Sequence, residues 1–183
     1  QELEIMRLYL ATGGHLLVAS QAGTGAAANP LLDGLGLRLG EGVVVDPQVS
    51  GAPEVQGQAA AMVAAYTDHA VVARLAASGL RTLLRRAAPI ELTGNLTQGS
   101  VQPLAAAAAE SWVEEDHQSR VWQRGSGAKG NAILAALWRA DCSKIEVRRS
   151  DEGRLGLLSD VQMMSNGGLV HGGNRVLVLN LIS

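Results

Sequence analysis

Phenylalanine is absent from these 183 residues, and aromatic side chains of any kind make up only 3%. So few rings leave little from which to build the stacking platforms that single-stranded nucleic acid requires. Cysteine is nearly absent as well. Cys142 stands alone, which excludes an intramolecular disulfide and any metal site built from several cysteines. A basic excess is also missing: 15 Lys and Arg face 17 Asp and Glu, for a net charge of −2, with Lys only at 129 and 144. Electrostatics therefore make no case for nucleic acid or an anionic membrane surface as partner. No run approaches the ~18–20 consecutive apolar residues of a membrane-spanning helix, and no basic-then-apolar targeting segment opens the chain. What is plentiful is small: 22 Gly, many Ala, and only 17% charged residues, a composition suited to close packing. The length suits one well-cored domain over 1–183, with no internal repeat and no convincing boundary.

Periodicity supplies the elements. Leu3, Met6 and Leu10 fall at helical spacing before a Gly13-Gly14 stop, and Leu16–Ala19 reads as a short strand. Asn29-Pro30 reads as the cap and first position of a second helix. Val43–Val45 is a strand stopped by Asp46-Pro47, and 47–58 is a surface loop. Met62–Tyr66 reads as a strand, with Asp68 capping a helix through Val72 and Leu75. An edge strand fits 83–92, while 101–109 is strand or helix and 111–127 irregular. Ile133–Trp138 and Leu155–Leu158 are apolar without interruption, as buried strands are. After the latter, Asp160 opens a polar Ser165-Asn166-Gly-Gly loop, and Asn174 is placed to cap a final helix. This alternation predicts α/β with a mainly parallel sheet flanked by helices. The loop after Asp160 then sits where open α/β sheets bind ligands.

Motifs with catalytic spacing are lacking. Cys142 lies in a polar turn without Gly, and Ser20 precedes Gln-Ala-Gly rather than a helix, so neither suits a nucleophile elbow. Gly23-Thr-Gly25 and Gly125-Ser-Gly-Ala-Lys129-Gly read as turns rather than phosphate loops. The histidines at 15, 69, 117 and 171 are scattered, so no metal site is expected. Glu114-Glu115-Asp116 reads as a solvated run. Arg81, Arg85 and Arg86 form the basic cluster and, with Trp112, the expected partner surface.

Five blocks in order carry a family resemblance: Gly13-Gly14-His-Leu-Leu-Val; Asn29-Pro-Leu-Leu through Val43-Val-Val-Asp46-Pro47; His69 to Leu75; Glu110-Ser-Trp112-Val-Glu114; and Asp160 through Ser165-Asn166 to Gly-Gly-Asn174. Together they resemble the GldG-type soluble domain of membrane-anchored accessory proteins of ABC transporters. Ala70 stands where that family has Pro, and Leu158-Ser-Asp160-Val-Gln-Met departs from its Gly-Asp-Ser-Asp-Phe. The resemblance implies a flavodoxin-like or Rossmann-like three-layer sandwich lacking its N-terminal strand-helix-strand unit, in a fragment of a longer protein tethered to the membrane elsewhere. It implies a non-catalytic domain on the periplasmic face of the inner membrane, without cofactor. Such a domain would serve an ABC-type transport or gliding-motility system through protein or glycan contacts with permease, ATPase or other envelope proteins. Asp46, Asp160, Ser165, Asn166 and Asn174 are the binding candidates. The fold relatives of that domain keep two alternatives open, an amidotransferase-like hydrolase and a small-ligand-binding domain. A sheet edge left bare by the missing unit would favour a homodimer through that edge or the first helix.

Overall fold

The computed structural model describes residues 1–52, 57–124 and 130–182. The chain runs α1 (Glu2–Ala11), β1 (His15–Ala19), α2 (Gly25–Leu32), β2 (Leu35–Leu39), β3 (Val43–Val45), β4 (Ala60–Tyr66), α3 (Ala70–Ser78) and β5 (Leu83–Arg85). It continues through β6 (Ile90–Leu96), β7 (Ser100–Ala107), β8 (Trp112–Glu114), β9 (Ile133–Asp141), β10 (Glu152–Leu158), α4 (Asn166–Leu169) and α5 (Gly172–Ile182). α1 ends where expected. Gly13 takes φ +88°, a conformation glycine adopts without steric cost, and the Gly13 and Gly14 amides return to the Leu10 and Tyr9 carbonyls.

The sheet order is β1-β10-β9-β7-β4-β5, with β6 joining β9 through Ile90–Ile133 and carrying β2 on its other side. β1 and β10 pair in parallel, and the other described pairings are antiparallel. β3 and β8 form a separate two-stranded ribbon. The expected mainly parallel, flavodoxin-like sandwich is therefore wrong: the fold is a curled, mixed, mostly antiparallel sheet with short helices on its faces. Irregularities between Val63 and Ala65, Pro103 and Ala105, and Leu35 and Leu37 break the ladders. Such bulges bend strands and sharpen twist. Pro103, which has no amide to donate, is tolerated at one of them.

The misreading has a physical source. An uninterrupted apolar run reports burial on both faces, and not the direction of the neighbouring strand. In β9, Ala135 and Leu137 enter a core with Leu75, Leu158 and Leu177, under α3 and α5. Ala136 and Trp138 enter the opposite core with Leu10, Leu32 and Leu157, under α1, α2 and β2. Both faces are covered, so an antiparallel strand shows the pattern expected of a parallel one.

Candidate functional site

Asp160 follows the last residues of β10 and is 1% exposed. Its Oδ2 accepts the Arg85 amide at 2.7 Å and its Oδ1 the Gln162 amide at 2.7 Å. Burial outweighs these bonds and the nearby Arg85 charge, pushing its pKa up to about 6. Asn174, also 1% exposed, does not cap α5; it is the third residue of that helix and reaches sideways to β5. Its Oδ1 accepts the Leu83 amide and its Nδ2 donates to the Leu83 carbonyl, both at 2.8 Å. The two candidates thus converge, but on the outer edge of β5. Between them they bind three of the backbone groups with which that strand would pair with another, the Leu83 N–H and C=O and the Arg85 N–H.

Ser165 and Asn166 do not join them. Both are exposed; the Ser165 hydroxyl accepts the Gly168 amide and caps the single turn of α4. Asp46 is 4% exposed and occupied by its own loop: Oδ1 accepts the Gln48 amide at 2.9 Å and Oδ2 faces the Met62 amide at 3.4 Å. The Ser50 hydroxyl completes that corner, donating to the Ala60 carbonyl and accepting the Ala60 amide.

The expected partner surface does not form as one patch. Trp112 is only 7% exposed, packed with Ala22, Val43, Val45 and Ala59. Its strand, β8, is three residues long, too short for periodicity to reveal which face is buried. Arg81 is exposed ahead of β5, and Arg85 is half-buried within it. Arg86 is half-buried with φ +53°, fixed by its amide to the Ala59 carbonyl and its carbonyl to the Ala22 amide.

Cys142 is 2% exposed with Sγ directed at the Ala11 carbonyl, 3.3 Å away, at the end of α1. Ser20 shares a 2.6 Å hydrogen bond with Thr24. The Thr24 hydroxyl also exchanges bonds with Gln21, so Gly23-Thr-Gly25 is a closed turn leading into α2. The second glycine-rich segment, at 125–129, lies outside the described residues. Among the described residues, no three His, Cys, Asp or Glu gather as metal ligands. A cleft of about 1,010 Å³ lies elsewhere, between α2, β2 and the Glu115-Asp116-His117 turn.

Sequence reasoning missed Asn29. Expected as a cap, it lies inside α2, and its amide pairs with both backbone groups of Leu39 at 2.8 and 2.9 Å. A helix-borne asparagine thus binds an outer strand at two places in the molecule. A buried-face Asn among apolar neighbours is the signal that could have marked both.

A curled mixed sheet with side chains stitched along its edges defines the class of fold. No family model and no curated protein matches the chain. Among solved structures, the mmIFT52 N-terminal domain resembles it with a TM-score of 0.66, over 99% of this chain and 68% of that one, at 16% identity. At that identity the likeness is one of fold. It overturns the GldG-type, flavodoxin-like assignment drawn from the sequence blocks.

Proposed function

We propose that this chain is a non-catalytic interaction domain, working through its surface rather than through a reactive centre. One observation supports the reading above others. At the carboxyl end of β10, where an α/β enzyme or binding protein would present free polar groups, the Asp160 carboxylate is occupied on both oxygens by backbone amides. What faces solvent instead is apolar: Ile5 and Leu8 of α1 are 60% and 65% exposed, and Leu179 and Ile182 of α5 are 52% and 56% exposed. Apolar side chains grouped on two short helices mark contact surfaces.

Site-specific photo-crosslinking in the source cell tests it. A photoreactive residue at Leu8 is expected to give a discrete protein adduct, and one at Thr93 on the polar part of β6 to give none. Absence of any discrete adduct from α1 and α5 positions would overturn the reading.

A further inference from the structure

The sheet's outer strands are treated unequally. β5 has Leu83 bound on both backbone groups by Asn174 and Arg85 bound by Asp160; β2 has Leu39 bound by Asn29. The free part of β6 carries Glu91, Thr93, Gly94 and Asn95, polar or strand-weakening residues of the kind that discourage pairing. β1 has no such protection. Its sequence, His-Leu-Leu-Val-Ala, holds no Asp, Glu, Lys, Arg, Pro or Gly, and Leu16 to Ala19 are all partly exposed.

The ladder shows which groups of β1 have no partner among the described residues. The Gly14 carbonyl accepts the Arg154 amide, and the Ser20 amide donates to the Leu158 carbonyl. In this parallel register the even-numbered residues of β1 point to β10, and His15, Leu17 and Ala19 present N–H and C=O outward. Apolar helices flank the edge on both faces. Leu16 and Val18 pack with Leu10 of α1, and Leu17 and Ala19 with Leu177 and Leu181 of α5. Arg7 reaches towards α2 and Asn180 towards α3, so Met6 and Ile182 lie on the flanks turned away from those neighbours. They are 41% and 56% exposed.

We propose that a second copy of this chain occupies the edge, with β1 pairing antiparallel to its counterpart about a two-fold axis at Leu17. The outward groups are self-complementary in that register: Leu17 faces Leu17, and His15 faces Ala19. The two-fold sets α1 beside α1 and α5 beside α5, enclosing the apolar flanks. The area removed from water is on the order of 1,000 Å² in total, the size a specific interface needs. The inference deepens the interaction reading by naming surface and partner.

Analytical ultracentrifugation of the chain across the micromolar range, with hydrogen exchange read at single amides, tests it. The expected result is a dimer in which the Leu17 and Ala19 amides exchange slowly and lose protection on dilution. Changing the exposed Met6→Lys and Ile182→Lys together should weaken association at least tenfold while leaving the far-UV circular dichroism and melting curve unchanged. A strict monomer throughout overturns the proposal, as does a dimer whose β1 amides exchange freely. A monomer whose β1 amides become protected only when a different polypeptide is added overturns the second copy as occupant. That last outcome leaves the interaction reading standing, which only the crosslinking result removes.

Discussion

Changing Asn174→Ala leaves the buried N–H and C=O of Leu83 without partners, and an unsatisfied buried group costs more than the bond itself contributes. The expected loss is about 2–4 kcal/mol of unfolding free energy in urea titration. Asn29→Ala removes the same pair of bonds at a partly exposed site and should cost about half as much, since water can replace the amide. Equal effects would show that burial does not set the cost. Asp160 predicts a pH dependence. Its folded pKa, about 6, lies above the ordinary 3.8, so the fold binds the proton more tightly than the unfolded chain does. The resulting stability is fully present below about 4 and is lost as pH rises through about 6. Wild type should therefore gain stability relative to the Asp160→Asn variant between pH 7 and pH 4. A difference flat across that range would contradict it.

At the scale of the element, α3 is capped by an imidazole: His69, not Asp68, precedes the helix, and its Nδ1 accepts the Val71 amide at 3.2 Å. Only the neutral ring can accept there. Burial, reinforced by the Arg139 and Arg154 charges, lowers its pKa below the usual 6.5. Stability from the neutral ring is present above the ordinary value of 6.5 and is lost as pH falls through the lowered value of the folded state. Amide protection in the first turn of α3, measured against the intrinsic exchange rate at each pH, should fall on acidification in the wild type and much less in His69→Asn, whose side-chain oxygen still accepts. The strands and helices themselves were largely legible. β1, β3 and the core of β9 follow from short apolar runs, and α1 from Leu3, Met6 and Leu10 before two glycines. Pairing direction was not legible, because Leu134 to Trp138 satisfies the pattern of any strand buried on both faces. The site was legible only in part. Asp160, Asp46 and Asn174 stood out as polar residues beside apolar runs, but a capping residue and a strand-binding one look alike until the partner, Leu83 or Leu39, is brought near by the curl. The split of 83–92 into β5 and β6 was hidden for a similar reason: Arg86 turns with φ +53° where the sequence has no glycine.

At the scale of the whole molecule, the two cores share β9 as their common wall, so damage on one face should be felt on the other. Gly173→Ala places a methyl 2.2 Å from the Arg81 carbonyl and 2.5 Å from the Thr82 hydroxyl, forcing α5 away from β5. The expected loss is roughly 1–3 kcal/mol, the usual range for overpacking. Its signature is faster exchange in β10 and β1, far from the substitution, rather than in α5 alone. Exchange confined to residues 170–182 would show the helix moving independently of the sheet. The parallel pairing of β1 with β10 has a further consequence, for the order in which the chain assembles. His15 and Arg154 are neighbours in space but roughly 140 residues apart in sequence. During synthesis β1 emerges well before its partner and waits, unpaired and apolar, until the β9–β10 hairpin that receives it has been made. Loop closure over such a span is entropically slow. The pairing of β1 should therefore be among the last native contacts to form, and a nascent chain stopped before Glu152 should hold that strand exposed to whatever binds extended apolar segments at the ribosome.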